Sequence, residues 1–302
     1  MAESPSAPRA NTRRVSEEIA AAFPPLLVAA DRVASTVAQG VHSRRRVGQG
    51  ETFWQYRRFA FGYSPSDIDW RRSARSDRLY VRQTEWEAAQ SVWLWPDLTA
   101  SMRYTSRREL PEKQDRAAVL ALALASLLTR GGERIALLDR PEVPATGRAV
   151  LDRVAMSVMH AMDAAPESYD VPTVPALPRY DTVVLISDFL VDEEVLLAFL
   201  RDMAARGVRG HLLQVLDPSE AQLPFRGRTR FRGLETEGEL LVGRAESLHA
   251  GYAARLDSLQ TSLATFARRA GWSFRVHHTD ATPEPALLSL FIAMTEAQMA
   301  GG

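Results

Sequence analysis

The chain of 302 residues contains no cysteine and one lysine, Lys113. Without cysteine there is no disulfide, no thiolate metal site and no thiol nucleophile. Nearly all the basic charge is therefore arginine. Lys plus Arg (37) equals Asp plus Glu (37), so net charge points to neither nucleic acid nor an anionic membrane surface. Long apolar runs are missing as well. The most apolar stretch, Ala117 to Leu128, falls far short of the ~20 residues that cross a bilayer. Residues 1–11 are polar and rich in Pro, Ser and Ala, with no apolar core of a secretory signal. These absences lead to the expectation of a soluble, cytoplasmic protein. No Gly-rich phosphate loop and no Gly-x-Ser-x-Gly elbow is found.

What is present is an alternation. The run Ser91-Val92-Trp93-Leu94-Trp95-Pro96 reads as a buried strand, and it ends abruptly in Asp97. Further strands are expected at Arg134–Leu138, Thr182–Ser187, His211–Leu216 and Ser273–His277. Helices are expected at Ala117–Leu128, Gly147–Met162, Asp192–Ala205, Leu248–Ala270 and Pro285–Met299. Strands that alternate with helices predict an α/β fold, doubly wound around a mainly parallel sheet. Pro224 to Val242 carries short alternating segments and predicts a small inserted β-hairpin.

Four segments are expected. Residues 1–14 form a disordered tail by composition. Residues 15–40 are helical, with Ser16 as N-cap and an interruption at Pro24 and Pro25. Residues 41–90 hold an Arg-rich block, and 91–302 the α/β domain. In the block, ten arginines between Arg44 and Arg82 are interleaved with Phe53, Trp54, Tyr56, Phe59, Phe61, Tyr63 and Trp70. Arginine with aromatics can bind nucleic acid. The same composition also suits a structural network of Arg–carboxylate pairs, and Glu51, Asp67, Asp69 and Asp77 supply its acids. A short strand from Leu79 to Glu85 is expected to lead toward the central one.

Three constellations carry candidate chemistry. In Asp97-x-Thr99-x-Ser101, a strand-end carboxylate precedes two hydroxyls. These are hard oxygen donors that suit Mg²⁺ or Mn²⁺ rather than zinc; the plain alternative is a helix cap. Asp188, after Ile186-Ser187, stands at the carboxyl end of another buried strand. Ligands of open α/β sheets bind at such ends, where the strand order reverses. Thr146, in Ala145-Thr146-Gly147-Arg148, is a third oxygen donor or simply an N-cap. His277-His278 lies on a strand, where adjacent side chains point to opposite faces, which argues against a metal site.

The stretch Gly48-Gln49-Gly50-Glu51-Thr52-Phe53, then Tyr56-Arg57, Pro65-Ser66-Asp67 and Ile68-Asp69-Trp70-Arg71-Arg72-Ser73-Ala74-Arg75 resembles a bacterial family called "domain of unknown function 58". Ile186-Ser187-Asp188-Phe189, Leu216-Asp217-Pro218 and Thr279-Asp280 extend the resemblance to the C-terminus. It implies a von Willebrand factor A-like fold and a metal-ion-dependent adhesion site of pattern Asp-x-Ser-x-Ser. Asp97, Thr99 and Ser101 would be its first loop, and Thr146 and Asp188 its second- and third-loop members, holding Mg²⁺ or Mn²⁺. Two departures stand out: Thr99 replaces a serine, and Pro96 removes a ladder donor just before the motif. The resemblance also implies a MoxR-type AAA+ ATPase as collaborator of a non-enzymatic adaptor that engages a protein client.

Two other functions are weighed against this one. The Arg-rich block would make a nucleic-acid binder whose affinity falls steeply with salt. A phosphohydrolase of haloacid-dehalogenase type also starts from a strand-end Asp. It wants a second acid where Thr99 stands, and a lysine near the phosphate, for which Lys113 is the sole candidate.

Overall fold

A computed structural model describes residues 27–38, 53–58, 73, 80–84, 91–164, 171–174, 176–233 and 238–300. The chain divides into two compact units, residues 42–89 and the remainder. In the smaller unit, β1 (Phe53–Arg58) pairs antiparallel with β2 (Tyr80–Thr84). The strand expected near Leu79 to Glu85 therefore exists, as part of a two-stranded sheet of its own. Its partner lies in the block read for charge, where Phe53, Trp54 and Tyr56 are also β-forming residues. Most of the Arg-rich block and residues 1–26 lie outside the described residues, and so do the tail and the Pro24-Pro25 interruption.

The larger unit is a three-layer α/β/α arrangement. Its sheet contains β3 (Ser91–Pro96), β4 (Arg134–Leu137), β5 (Thr182–Ser187), β6 (Arg209–Leu216) and β9 (Ser273–His278). All neighbours are parallel, in the order β4-β3-β5-β6-β9. The helices are α1 (27–38), α2 (Lys113–Arg130), α3 (Arg148–Asp163), α4 (Glu193–Ala205), α5 (Pro218–Gln222), α6 (His249–Ala270) and α7 (Pro283–Ala300). The expected hairpin forms as β7 (Thr229–Arg232) and β8 (Glu239–Val242). Among the described residues no helix is long and apolar enough to cross a membrane.

Strand alternation sorts the core into two halves. Val92 and Leu94 of β3 face α1, α2, α3 and α7, whereas Trp93 and Trp95 face α4 and α6. Both faces are covered, so β3 and β5 are buried along their whole length and apolar between their polar ends. Helix α2 is enclosed by its neighbours. Between Ala117 and Leu128 only Val119 keeps partial exposure, and the frequent alanines permit this close packing. Ala30, Val33, Ala34 and Val37 of α1 join that core, and Asp31 pairs with Arg130.

Pro96 closes β3 opposite Ile186 without breaking the sheet. Leu94 accepts from Leu138 on the β4 side, and the Asp97 N–H donates to the Ile186 carbonyl at 2.8 Å on the β5 side. By alternation the missing Pro96 donor faces β4, which has already ended at Leu137.

Candidate functional site

From β3 the chain runs through α2 to β4 on one side. It then returns through α3 to β5 on the other side of β3. The winding thus reverses between β3 and β5, and their carboxyl ends open one crevice. Asp97 leaves β3 into that crevice, and Asp188 follows β5 into it.

Buried Asp97 organises the first loop. Its Oδ1 accepts from the Thr99 N–H at 2.9 Å and from Thr99 Oγ1 at 2.7 Å. Thr99 Oγ1 lies 3.1 Å from Ser101 Oγ, and Ser101 is half-buried, at the open edge. Thr99, not Asp97, stands at the N-cap of the short 3₁₀ turn Ala100–Met102, and its side chain makes no capping bond. The Asp97 carboxylate therefore folds its own loop and caps no long helix.

The second loop reaches Asp97 through Ser187, whose Oγ donates to Asp97 Oδ2 at 2.6 Å and accepts from the Phe189 N–H at 3.0 Å. Phe189 is buried with a left-handed φ of 53°, a conformation costly for a non-glycine residue. The tight turn keeps Asp188 in the crevice. Its Oδ1 accepts from Leu190 N–H at 2.9 Å, and buried Gln214 donates to its carbonyl at 2.8 Å. Helix α4 is capped by Asp192 instead.

The other Asp188 oxygen meets the single lysine. Lys113 Nζ lies 2.6 Å from Asp188 Oδ2 and 2.6 Å from Glu220 Oε1. Glu220 Oε2 in turn accepts from the Asp217 N–H at 2.9 Å, half of a capping box on α5. Asp217 also accepts from Ser106 N–H at 2.9 Å, and Tyr104 Oη lies 2.8 Å from Ser219 Oγ. Three loops, after β3, β5 and β6, are laced together.

The electrostatics follow from this burial. Asp97 is pushed up to about 6 by desolvation and then by the charge of Asp188, against the Ser187 and Thr99 hydrogen bonds. Burial would lower Lys113, but Asp188 and Glu220 outweigh it and hold the ammonium charged, above the ordinary lysine range. Glu220 is shifted upward because burial exceeds the pull of Lys113. Burial also raises Tyr252 of α6, with Glu220 adding to it, to about 12.

Asp97, Thr99, Ser101 and Asp188 are thus brought to one place. Thr146 is not joined to them by any hydrogen bond among the described residues. It stands exposed in the turn between β4 and α3. Nor is it an N-cap: Gly147 takes that position with φ 93°, which only glycine adopts freely, and α3 begins at Arg148. His277 is buried and its neighbour His278 exposed, on opposite faces of β9.

By pattern Lys113 enters only as a candidate phosphate-binding lysine, and Ser187, Asp217 and Glu220 carry no site assignment. The singularity of Lys113 and the Asp-x-x-Glu capping signature at 217–220 were the available signals.

A model for "Protein of unknown function DUF58" matches residues 55–261. The chain belongs to this DUF58 family. It is also similar to the uncharacterized proteins Mb1516 of Mycobacterium bovis and Rv1480 of Mycobacterium tuberculosis. Each is 26% identical over 221 residues, covering 68% of this chain and 68% of the relative. Among solved structures it is similar to an aerotolerance-related membrane protein from Bacteroides fragilis and to the conserved hypothetical protein BatB from Bacteroides thetaiotaomicron. Each is 14% identical, at TM-score 0.39, covering 68% of this chain and 99% of the other.

The oxygen donors present fit a small hard cation. Cis ligands of an octahedral ion with bonds of about 2.1 Å lie about 3.0 Å apart. The Thr99–Ser101 hydroxyl separation of 3.1 Å has that span. The raised Asp97 carboxyl is a buried acid whose charged form a nearby cation would favour.

Proposed function

We propose that the crevice between β3 and β5 is a docking site for an acidic side chain of a protein partner. It would work as a metal-ion-dependent adhesion site on a von Willebrand factor A-like fold. Asp97, Thr99 and Ser101 would hold Mg²⁺ or Mn²⁺, with Asp188 behind them. A divalent ion held largely by neutral hydroxyls and waters stays electrophilic and can accept a carboxylate from outside. The residues of the chain bind and orient; no bond is made or broken in this reading.

The observation that carries the proposal is the convergence of Asp97, the 3.1 Å hydroxyl pair and Asp188 at the point where strand order reverses. A MoxR-type AAA+ ATPase is the collaborator we propose, with an adaptor role in assembling or maturing a client protein. The test is a pull-down of that ATPase by the full chain, in Mg²⁺ and in EDTA, with wild type and Asp97→Ala. Retention only by wild type in Mg²⁺ supports the reading. No retention in either condition overturns it.

A further inference from the structure

Lys113 is an odd residue to find where it is. It is the only lysine of the chain and is buried to 1% exposure. It occupies the first position of α2, the end at which the helix dipole disfavours a cation. An isolated buried ammonium is costly, so the site must compensate it in full. Compensation comes from two acids on two other loops: Asp188 after β5 and Glu220 on α5, each at 2.6 Å. The Tyr104 ring lies 5.9 Å from the same Nζ. Without the ammonium, Asp188 would face Asp97 on one side and Glu220 on the other as like charges in a desolvated site.

We propose that Lys113 is a tethered cation that keeps the acids of this crevice assembled when no divalent ion is bound. Metal is then required for docking a partner but not for the shape of the site. The inference rests on reading the crevice as a cation site. It goes beyond that reading by giving the chain its own permanent counter-ion, so that the site is pre-formed rather than built by metal. Removing the ammonium while keeping the stem's volume, as in Lys113→Met, leaves an uncompensated pair of acids. That pair should recruit a divalent ion in place of the ammonium.

The test uses the full chain without any partner, so its outcome is independent of the ATPase pull-down. Thermal unfolding is recorded in EDTA and in Mn²⁺ for wild type and K113M, and Mn²⁺ affinity is measured by electron paramagnetic resonance. The wild type is expected to unfold cooperatively in EDTA, and Mn²⁺ should raise its midpoint by less than it raises that of K113M. K113M is expected to melt lower in EDTA, to recover in Mn²⁺, and to bind Mn²⁺ at least tenfold more tightly than wild type. A wild type that shows no cooperative unfolding transition in EDTA overturns the proposal, as does a K113M chain whose Mn²⁺ affinity matches wild type and whose midpoint Mn²⁺ raises no more than that of wild type.

If K113M does not fold, the wild type still decides the matter. With lysine labelled in ¹⁵N, the chain gives a single ammonium resonance. A slowly exchanging signal that keeps its shift through a Mg²⁺ titration supports the tethered cation. A fast-exchanging signal, or one displaced by Mg²⁺ to that of a solvated lysine, overturns it.

Discussion

Ser187 Oγ lies 2.6 Å from Asp97 Oδ2 and donates to it, a hydrogen bond that ties the end of β5 to the end of β3. The same hydroxyl accepts from the Phe189 N–H, so one serine fixes both the acid before it and the turn after it. Asp97 is therefore held from two strands at once, with its other oxygen closed by Thr99. A carboxylate fixed in this way loses little freedom when it meets a cation, which favours binding.

Asp97 makes stability pH-dependent. Its pKa rises from 3.8 to about 6 on folding, so the folded chain holds the proton more tightly than the unfolded one. In metal-free protein that contribution is complete below about pH 4 and disappears as pH climbs through about 6. Asp97→Asn, which never ionises, should gain on wild type across this window by on the order of 2–3 kcal/mol. Urea denaturation in EDTA at pH 4 and pH 7 measures the gap; an equal separation at both values contradicts the assignment.

His211 acts in the opposite sense. Burial holds its imidazole down at about 4, and its Nδ1 lies 2.8 Å from Ser273 Oγ. The neutral ring is the native form, so its contribution is present above pH 6.5 and lost as pH falls toward 4. His277 on β9 is lowered to about 4 by burial as well, with Arg116 adding to it. His211→Asn should therefore lessen the loss of stability between pH 6.5 and 4 in denaturation curves. An unchanged slope counts against this reading.

How far the sequence foretold this depended on the range of the contacts. The ends of β3 and β5 were legible because an apolar run that stops at an acid is a local signal. Asp97, Thr99, Ser101 and Asp188 followed from it. The ion cluster was not legible, since Lys113 finds its acids 75 and 107 residues away. By pattern Thr146 is a third oxygen donor or an N-cap, yet Gly147 with its positive φ takes the cap position and the threonine stands exposed. The β1–β2 pairing was hidden for a related reason: arginines dominated the reading of residues whose β-forming neighbours set the strand.

Ser101 allows the proposed docking to be separated from folding. It is half-buried, and its hydroxyl lies 3.1 Å from Thr99 Oγ1. Ser101→Ala should shift stability by no more than about 1 kcal/mol. Under the proposed function, retention of the MoxR-type ATPase in Mg²⁺ should nevertheless fall at least tenfold. A variant that docks as well as wild type removes Ser101 from the site.

Gly210 reports on the sheet that carries the crevice. A Cβ there would sit 2.0 Å from Trp272 Cε3, and the Trp272 indole is anchored by its bond to the Val208 carbonyl at 3.1 Å. Gly210→Ala must move the ring or the β6 backbone, and should cost about 1–3 kcal/mol. The urea midpoint checks this; a loss under a few tenths of a kcal/mol would mean that Trp272 is not held.

The proposed site requires the oxygens gathered by β3 and β5 to hold a divalent cation. Titration of Mn²⁺ into the full chain, followed by electron paramagnetic resonance, tests it most directly. The account expects one bound Mn²⁺ per chain in wild type, displaced by Mg²⁺, and none in Asp97→Ala. Wild type that leaves all Mn²⁺ free, or Asp97→Ala that binds it equally well, would contradict it.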